Sequence, residues 1–312
     1  MNYKLITTHK NNPRAICLGY FDGIHLGHQE LIKKTVEEAK KYNLVPTFLT
    51  FDPDPNFVLG FKSKNELIMP LEDRYKKVKE LGIEDIIVLK FDDISKNLEP
   101  KEFIKWLLEE INVKNITIGF DFSFGKRGQG KVKDLLLLEP MIKVNVINEL
   151  KVNNRKVSSS YIIEDIKNGE VENLKETLGE LYTIKGIVIK GLGNGKKLSF
   201  PTLNIAPLDE YVEPKNGVYG VEVLLNNKKY LGMANIGVHP SISKLDKAIL
   251  EVHLFDFDED VYGQEVSCKF LYFIREEKKF NSLNELINQL ELDKKLIISK
   301  KSIIRNVFRF RR

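Results

Sequence analysis

The chain has 312 residues, 42% of them hydrophobic and 30% charged, with a formal net charge of +5. That balance belongs to a globular protein with enough length for two domains of ordinary size. It argues against a membrane span or a secretory leader: the longest aliphatic run, Leu135 to Leu138, is far too short to cross a bilayer, and the first residues carry no apolar secretory core.

In chain order, strand candidates Ile16 to Leu18, Val45 to Phe51, Ile86 to Lys90, Ile116 to Gly119 and Ile142 to Ile147 alternate with helix candidates. The helices are Gln29 to Tyr42, Glu72 to Leu81 with Gly82 as its stop, and Lys101 to Ile111 with Pro100 just inside its start. Short apolar strands between amphipathic helices predict a parallel sheet covered on both faces, with ligands bound beyond the carboxyl ends of its strands. A helical pair follows, Ser159 to Lys167 and Glu170 to Leu178, stopped by Gly169 and Gly179. The pattern then turns strand-rich: Ile184 to Lys190, Val218 to Leu225, Lys229 to Ile236, Ala248 to Phe257 and Val266 to Ile274, with turn residues such as Asn226-Asn227 between them. Such a run predicts an antiparallel barrel or sandwich. A capping box, Ser282-Leu283-Asn284-Glu285, opens a helical tail. The change of pattern near Gly179 to Tyr182 places a domain boundary between residues 180 and 181, giving units 1–180 and 181–312.

Basic residues gather in the tail, from Lys294 and Lys295 to Arg311 and Arg312, at helical spacing around Leu296, Ile297, Ile304 and Val307. A solvated helix face fits this better than a nucleic-acid surface. The only two cysteines, Cys17 and Cys268, fall in apolar strand candidates, which points to a reduced cytoplasmic protein without disulfides.

The densest chemistry lies at Gly19-Tyr20-Phe21-Asp22-Gly23-Ile24-His25-Leu26-Gly27-His28, between the first strand and the first helix. Two histidines three residues apart in a helix's first turn share a face where free backbone N–H groups and the helix dipole favour phosphate. Gly23 and Gly27 leave room for a base or phosphate near the backbone. Zinc fits less well, because its helical pattern spaces the histidines one residue further apart and adds a third ligand. A second segment, Gly119-Phe120-Asp121-Phe122-Ser123-Phe124-Gly125, sets an acidic residue at the end of a strand. Gly125 to Val132 nearly fits a P-loop, but Val132 stands where a magnesium-binding hydroxyl is required, so the stretch reads as a mobile basic loop. Ser158, Ser159 and Ser160 open a helix, where they can cap it and donate to phosphate.

The ten-residue segment resembles the Gly-x-Phe-Asp-Gly-x-His-x-Gly-His motif of bacterial bifunctional riboflavin kinase/FAD synthetases. In the second half, Phe200-Pro201-Thr202-Leu203-Asn204, Asn216-Gly217-Val218-Tyr219, Ala234-Asn235-Ile236-Gly237, Glu251 to Phe257, Tyr262-Gly263 and Arg275 to Phe280 follow in the order seen in riboflavin kinases. The resemblance implies a nucleotidylyltransferase-like, Rossmann-like α/β domain followed by an antiparallel kinase barrel. It implies phosphorylation of riboflavin to FMN, then adenylylation of FMN to FAD, with ATP as co-substrate and Mg2+ as cofactor. Its small-molecule partners would be riboflavin, FMN, FAD and ATP; the short aliphatic runs argue against a membrane partner, and the helical spacing of the basic tail argues against a nucleic-acid one.

Carried over position by position, the resemblance makes His25 and His28 catalytic and places Gly19, Phe21, Asp22, Gly23, Gly27, Asp121, Ser158, Ser159 and Ser160 at the adenylyltransferase nucleotide. In the kinase half Gly191, Gly195 and Lys197 would cover the nucleotide, and Thr202 and Asn204 would hold magnesium. Glu251 would be the base that accepts the ribityl hydroxyl proton, and Arg275 would contact flavin. The chain departs from the family pattern at Ser160 for Thr, Ile163 for Arg, Glu180-Leu181 for Arg-Pro, Lys197 for Arg, Ser199 for Gly, and His239-Pro240-Ser241 for Arg-Pro-Thr. Two other readings fit parts of the sequence: a riboflavin kinase impaired in adenylyl transfer, motivated by Ile163 and Glu180, and a flavin- or RNA-binding regulator without catalysis, motivated by the basic tail.

Overall fold

The computed structural model describes residues 1–6, 9, 11–139, 141–191, 200–237 and 250–309, the last eight by backbone alone. They form two compact units, Met1–Tyr161 and Ile162–Arg312.

The first unit is built on strands β1 (Tyr3–Ile6), β2 (Arg14–Leu18), β3 (Val45–Asp52), β4 (Asp85–Lys90), β5 (Val113–Gly119) and β8 (Lys143–Ile147). Their order across the sheet is β1-β4-β3-β2-β5-β8. All neighbours run parallel except β1, which pairs antiparallel with β4 at the edge through Tyr3 opposite Leu89. That edge strand has no turn signal or long apolar run, and the sequence pattern did not announce it.

Helices α1 (Leu26–Tyr42), α3 (Leu71–Glu80) and α4 (Pro100–Glu109) cover the sheet, with short α2 (Pro55–Val58) and α5 (Val132–Leu136) between strands. Strand alternation divides the apolar residues between two faces. Ile16, Leu18, Leu49, Ile87 and Leu89 pack against Phe103, Trp106 and Leu107 of α4. Cys17, Phe48, Ile86 and Val88 meet Leu31 and Ile32 of α1 and Tyr75 and Val78 of α3. Each large side chain buried this way stabilises the unit by roughly 1.5–3 kcal/mol.

The chain runs from β2 outward to β3 and β4, then returns to place β5 and β8 on the other side of β2. A crevice must open where the order reverses, at the carboxyl ends of β2 and β5. Two small hairpins flank that region: β6 (Ser123–Phe124) with β7 (Gly130–Lys131), and β9 (Lys151–Val152) with β10 (Arg155–Lys156). The basic stretch expected to be a loop is the connection within the first of these hairpins, where Lys126 pairs with Glu99 at 3.7 Å and the Lys126 N–H donates to the Leu98 carbonyl.

The second unit begins within α6 (Ser159–Asn168) and continues through a 3-10 turn, Val171–Asn173, into α7 (Leu174–Leu178). The single helix expected over 170–178 is thus two short pieces. Strands β11 (Thr183–Ile189), β12 (Leu203–Pro207), β13 (Gly217–Leu225), β14 (Lys228–Ile236), β15 (Leu250–Leu254) and β16 (Glu265–Arg275) close into a barrel in the order β11-β12-β15-β14-β13-β16, every pair antiparallel. Ile184, Val188, Ile205, Val221, Val252 and Phe270 are buried on the inner face. On the outer face Phe200, Val218, Met233, Phe255 and Tyr272 gather around Ile297 of the C-terminal helix α8 (Leu283–Arg309). Ser282 caps this helix by accepting the Glu285 N–H at 3.2 Å, but the Glu285 carboxylate reaches back to the Asn281 N–H at 2.9 Å, one residue before the box expected from sequence. The sequence pattern shows no strand at β12, because Pro201 and Pro207 bracket a short run; pairing with both β11 and β15 extends it.

Gly217 opens β13 at φ +147°, where a β-carbon would lie 2.5 Å from the Arg275 carbonyl oxygen and 2.6 Å from the Phe273 ring. Gly263 also has positive φ, +79°, but faces open space. Gly217→Ala is expected to lower barrel stability by about 3 kcal/mol and Gly263→Ala by only about 1 kcal/mol, measured by urea unfolding followed through tyrosine circular dichroism.

Candidate active sites

The crevice in the α/β unit is a cleft of about 240 Å³, with Leu18, Gly19, Phe21, Gly27, Gly119, Asp121 and Ile147 among its lining residues. Its floor is the start of α1. His25 is not inside the helix, as its spacing had suggested, but is the N-cap, and its Nδ1 accepts the His28 N–H at 3.2 Å. This uses one of the free N–H groups that phosphate binding was expected to draw on, and it leaves the His25 proton on Nε2. The two imidazoles stack at 3.5 Å between ring centroids and 16° between planes, while Phe21 meets the His28 ring edge-on at 4.9 Å. Gly27 makes the stack possible, because a β-carbon there would press within 3.2 Å of the His25 ring.

Both rings are neutral. Burial, helped by the charges of Lys156 and Lys77, pushes His25 down to about 4, and burial together with His25, Arg74 and Lys77 pushes His28 well below its ordinary value. The His28 Nδ1 is buried with no hydrogen-bond partner among the described residues. Neutral imidazoles can donate from one nitrogen to a phosphate oxygen without a fixed charge.

The strand after this cleft delivers Asp121, whose carboxylate is held by Lys156 at 2.7 Å. Lys156 also lies over the Phe120 ring at 4.8 Å. It is the one cationic side chain lining the cleft among the described residues, and sequence reasoning passed over it. The signal was there: Asn153 and Asn154 take left-handed φ values of 49° and 63°, the two-residue turn that folds β9 onto β10 and presents Lys156.

Ser158 and Ser159 line the cleft, whereas Ser160 is exposed and does not. The Ser158 oxygen accepts the Tyr161 N–H at 3.4 Å as a helix cap, and the Ser159 hydroxyl donates to the Asp22 carbonyl at 3.1 Å. Asp22 and Gly23 are buried within the turn and absent from the cleft lining. The Asp22 carboxylate accepts the Ile68 N–H at 3.0 Å and the Met69 N–H at 3.0 Å and pairs with Arg74 at 3.2 Å.

On the barrel, cross-strand register places Asn204 of β12 and Asn235 of β14 on either side of Glu251 of β15. Residues directly opposite on antiparallel strands project to the same side, so a carboxylate stands between two carboxamides. Glu251 is half-buried on the face that also carries His253 and Phe255, both buried. The Asn204 Oδ1 is buried without a hydrogen-bond partner among the described residues. Gly191 approaches that carboxamide so closely that a β-carbon would collide with it. Thr202, two residues earlier, is half-buried. His253, which sequence reasoning had not singled out, fixes this entry to β12: its Nδ1 lies 2.8 Å from the Pro201 carbonyl and its ring 4.9 Å from Phe200. Arg275 is engaged by Asp293 of α8 at 2.8 Å, and Gln289 donates to the same carboxylate at 2.8 Å. Gly195, Lys197, Ser199 and His239-Pro240-Ser241 lie outside the described residues.

A paired-histidine cleft at the switch point of an α/β sheet, with a carboxylate-bearing antiparallel barrel in the same chain, defines a two-domain nucleotide-using transferase. The FAD synthetase family model matches residues 7–161 and the riboflavin kinase family model residues 178–300. The chain is 39% identical over 284 residues to the bifunctional riboflavin kinase/FMN adenylyltransferase of Bacillus subtilis, and 37% identical over 282 residues to that of Listeria monocytogenes, with 90% of both chains covered in each case. A crystal structure from Streptococcus pneumoniae, described as a macrolide-efflux protein, matches with a TM-score of 0.84 and 31% identity over 93% of this chain and 95% of the other. Among the described residues no helix is long and apolar enough to cross a membrane. The chain belongs to the family of bifunctional riboflavin kinase/FMN adenylyltransferases.

The folded protein keeps His25 neutral down to about pH 4, whereas the unfolded chain takes up the proton near 6.5. The stability of the α/β unit is therefore undiminished by this group above about pH 6.5 and falls by about 3 kcal/mol as the pH drops toward 4. Urea midpoints across that range, with the His25 ring resonance followed by NMR, check both the sign and the window.

Proposed function

We propose that the barrel phosphorylates riboflavin at its 5′-hydroxyl with ATP, and that the α/β unit transfers AMP from a second ATP to the phosphate of FMN, giving FAD and pyrophosphate. The functional division falls between residues 180 and 181. The observation that carries the adenylyl-transfer reading is the stacked, neutral His25–His28 pair at the sheet's switch point.

An FMN phosphate is already ionised at neutral pH, so adenylyl transfer needs no strong general base. The His25 Nε2–H donates a hydrogen bond to a phosphate oxygen of ATP, and His28 lies beside it to donate to the negative charge that grows as pyrophosphate leaves. Lys156 supplies the fixed positive charge, moving from Asp121 to the triphosphate. Gly19, Phe21, Gly27, Asp121, Ser158 and Ser159 shape the nucleotide's surroundings, in keeping with their place on the cleft wall.

A ribityl hydroxyl is a neutral nucleophile, and its proton must go to a base as the γ-phosphoryl group moves. Glu251 takes that proton, oriented by the carboxamides beside it. The buried, unpartnered Asn204 Oδ1 is a hard oxygen donor that fits Mg2+, so Asn204 with Thr202 would hold the ion, and Gly191 lets the backbone pass close beside the Asn204 carboxamide. Magnesium bound there supplies charge neutralisation on the ATP phosphates. The two free cysteines are buried, which suits the reducing cytoplasm.

Incubating the protein with riboflavin and MgATP and separating flavins by chromatography tests both activities. His28→Ala is expected to cut FAD formation by roughly 10²-fold or more while leaving FMN formation within twofold of wild type. Glu251→Gln is expected to cut FMN formation by about 10²–10⁴-fold while FAD still forms from added FMN. Equal loss of both activities in either variant contradicts this division of labour.

A further inference from the structure

Asp22 and Arg74 form a buried unit that the reaction itself does not use. The Arg74 guanidinium is only 2% exposed, yet it donates to the Met69 carbonyl at 2.8 Å and the Tyr20 carbonyl at 3.0 Å, pairs with Asp22 at 3.2 Å, and lies over the Tyr20 ring at 4.7 Å. Thr50 donates to the same Tyr20 carbonyl at 2.8 Å. These contacts converge on the turn between β2 and α1, where Phe21, Gly23 and Ile24 all have left-handed φ values of 58°, 80° and 44°. Two of those residues carry side chains that disfavour the conformation, so the turn persists only where its surroundings impose it. The same turn sets the Phe21 ring edge-on against His28 and leads directly into the His25 cap.

We propose that the Asp22–Arg74 pair is the positioning clamp of the adenylyltransferase site, acting through the Tyr20–Ile24 turn to hold the two imidazoles in register for the nucleotide. The proposal rests on adenylyl transfer at this cleft. Asp22 then contributes without touching nucleotide, and Arg74 is a positioning residue whose effect falls on turnover. A bidentate guanidinium can bridge a carboxylate and two carbonyls at once, whereas a lysine ammonium is a point charge that keeps the ion pair but not the fork.

Three variants of the full chain test it: Arg74→Lys, Arg74→Gln and Asp22→Asn, with FMN formation by the barrel as the measure of active concentration and circular dichroism as the measure of the α/β fold. Arg74→Lys is expected to lower kcat for FAD formation about tenfold or more with KM for ATP changed less than about threefold, because small misplacements of reacting groups cost turnover. His28 titration, followed by NMR, gives a second readout. The groups that act on His28 are His25, Arg74 and Lys77, with Lys156 acting on its neighbour His25. Arg74→Gln removes one of these charges and loosens the wall, so the His28 resonance should titrate at higher pH than in wild type, while Arg74→Lys should shift it less. Arg74→Lys with wild-type kcat overturns the clamp, as does an unmoved His28 titration in folded Arg74→Gln. If all three variants lose the α/β fold by circular dichroism, the pair serves stability alone and the proposal falls. A wild-type protein that forms no FAD refutes the adenylyl-transfer reading first, and so is distinguished from failure of the clamp.

Discussion

A turn that the chain would not adopt unaided governs the chemistry of the α/β unit. Phe21 and Ile24 in left-handed backbone each oppose folding by roughly 1–2 kcal/mol. The conformation is imposed by a buried carboxylate whose acceptors face two backbone N–H groups and one guanidinium. Because those partners lie at the start of α3 and just before it, the packing of α3 on the sheet and the shape of the cleft are one structural problem. The helix that follows the turn inherits its starting point, and its N-cap is a histidine where a serine or aspartate would be usual.

That choice of cap alters the electrostatics. An aspartate there would place negative charge on the wall of the cleft. A histidine accepts the same N–H with a neutral ring and keeps a second nitrogen for the ligand. The stack of two rings at van der Waals separation could not carry two positive charges, and burial holds both rings neutral across the physiological range. The fixed positive charge on the cleft wall comes from elsewhere, from Lys156 on a hairpin, whose ion pair with Asp121 is partly open to solvent.

What the sequence revealed was local. Strand, glycine turn, paired histidines and amphipathic helix stand within a few dozen residues, and their periodicities carry the fold class. The role of Asp22 was not legible, because Ile68, Met69 and Arg74 lie 46 to 52 residues away and nothing in the spacing connects them. Arg275 was similarly opaque: its partner Asp293 comes from a helix 18 residues later, and only the packing of α8 brings them together. Strand β12 disappeared behind its prolines, although Pro201 precedes the strand and Pro207 ends it. The asparagine pairs gave uneven guidance. Asn226-Asn227 reads as a turn because it joins two long strands, whereas the equivalent Asn153-Asn154, with a closely similar left-handed pair of φ values, joins strands only two residues long, too short to leave a pattern.

Closure of the barrel gives its chemistry an all-or-none character. Asn204, Glu251 and Asn235 come abreast only through hydrogen bonding between three neighbouring strands, and sliding β12 by a single position would send Asn204 into the interior and turn an aliphatic neighbour outward. A partly zipped barrel therefore holds no fraction of the site. Length changes during evolution should be tolerated at the far rim, where Asn226-Asn227 links β13 to β14, and resisted wherever they would shift the alignment of β12 against β15.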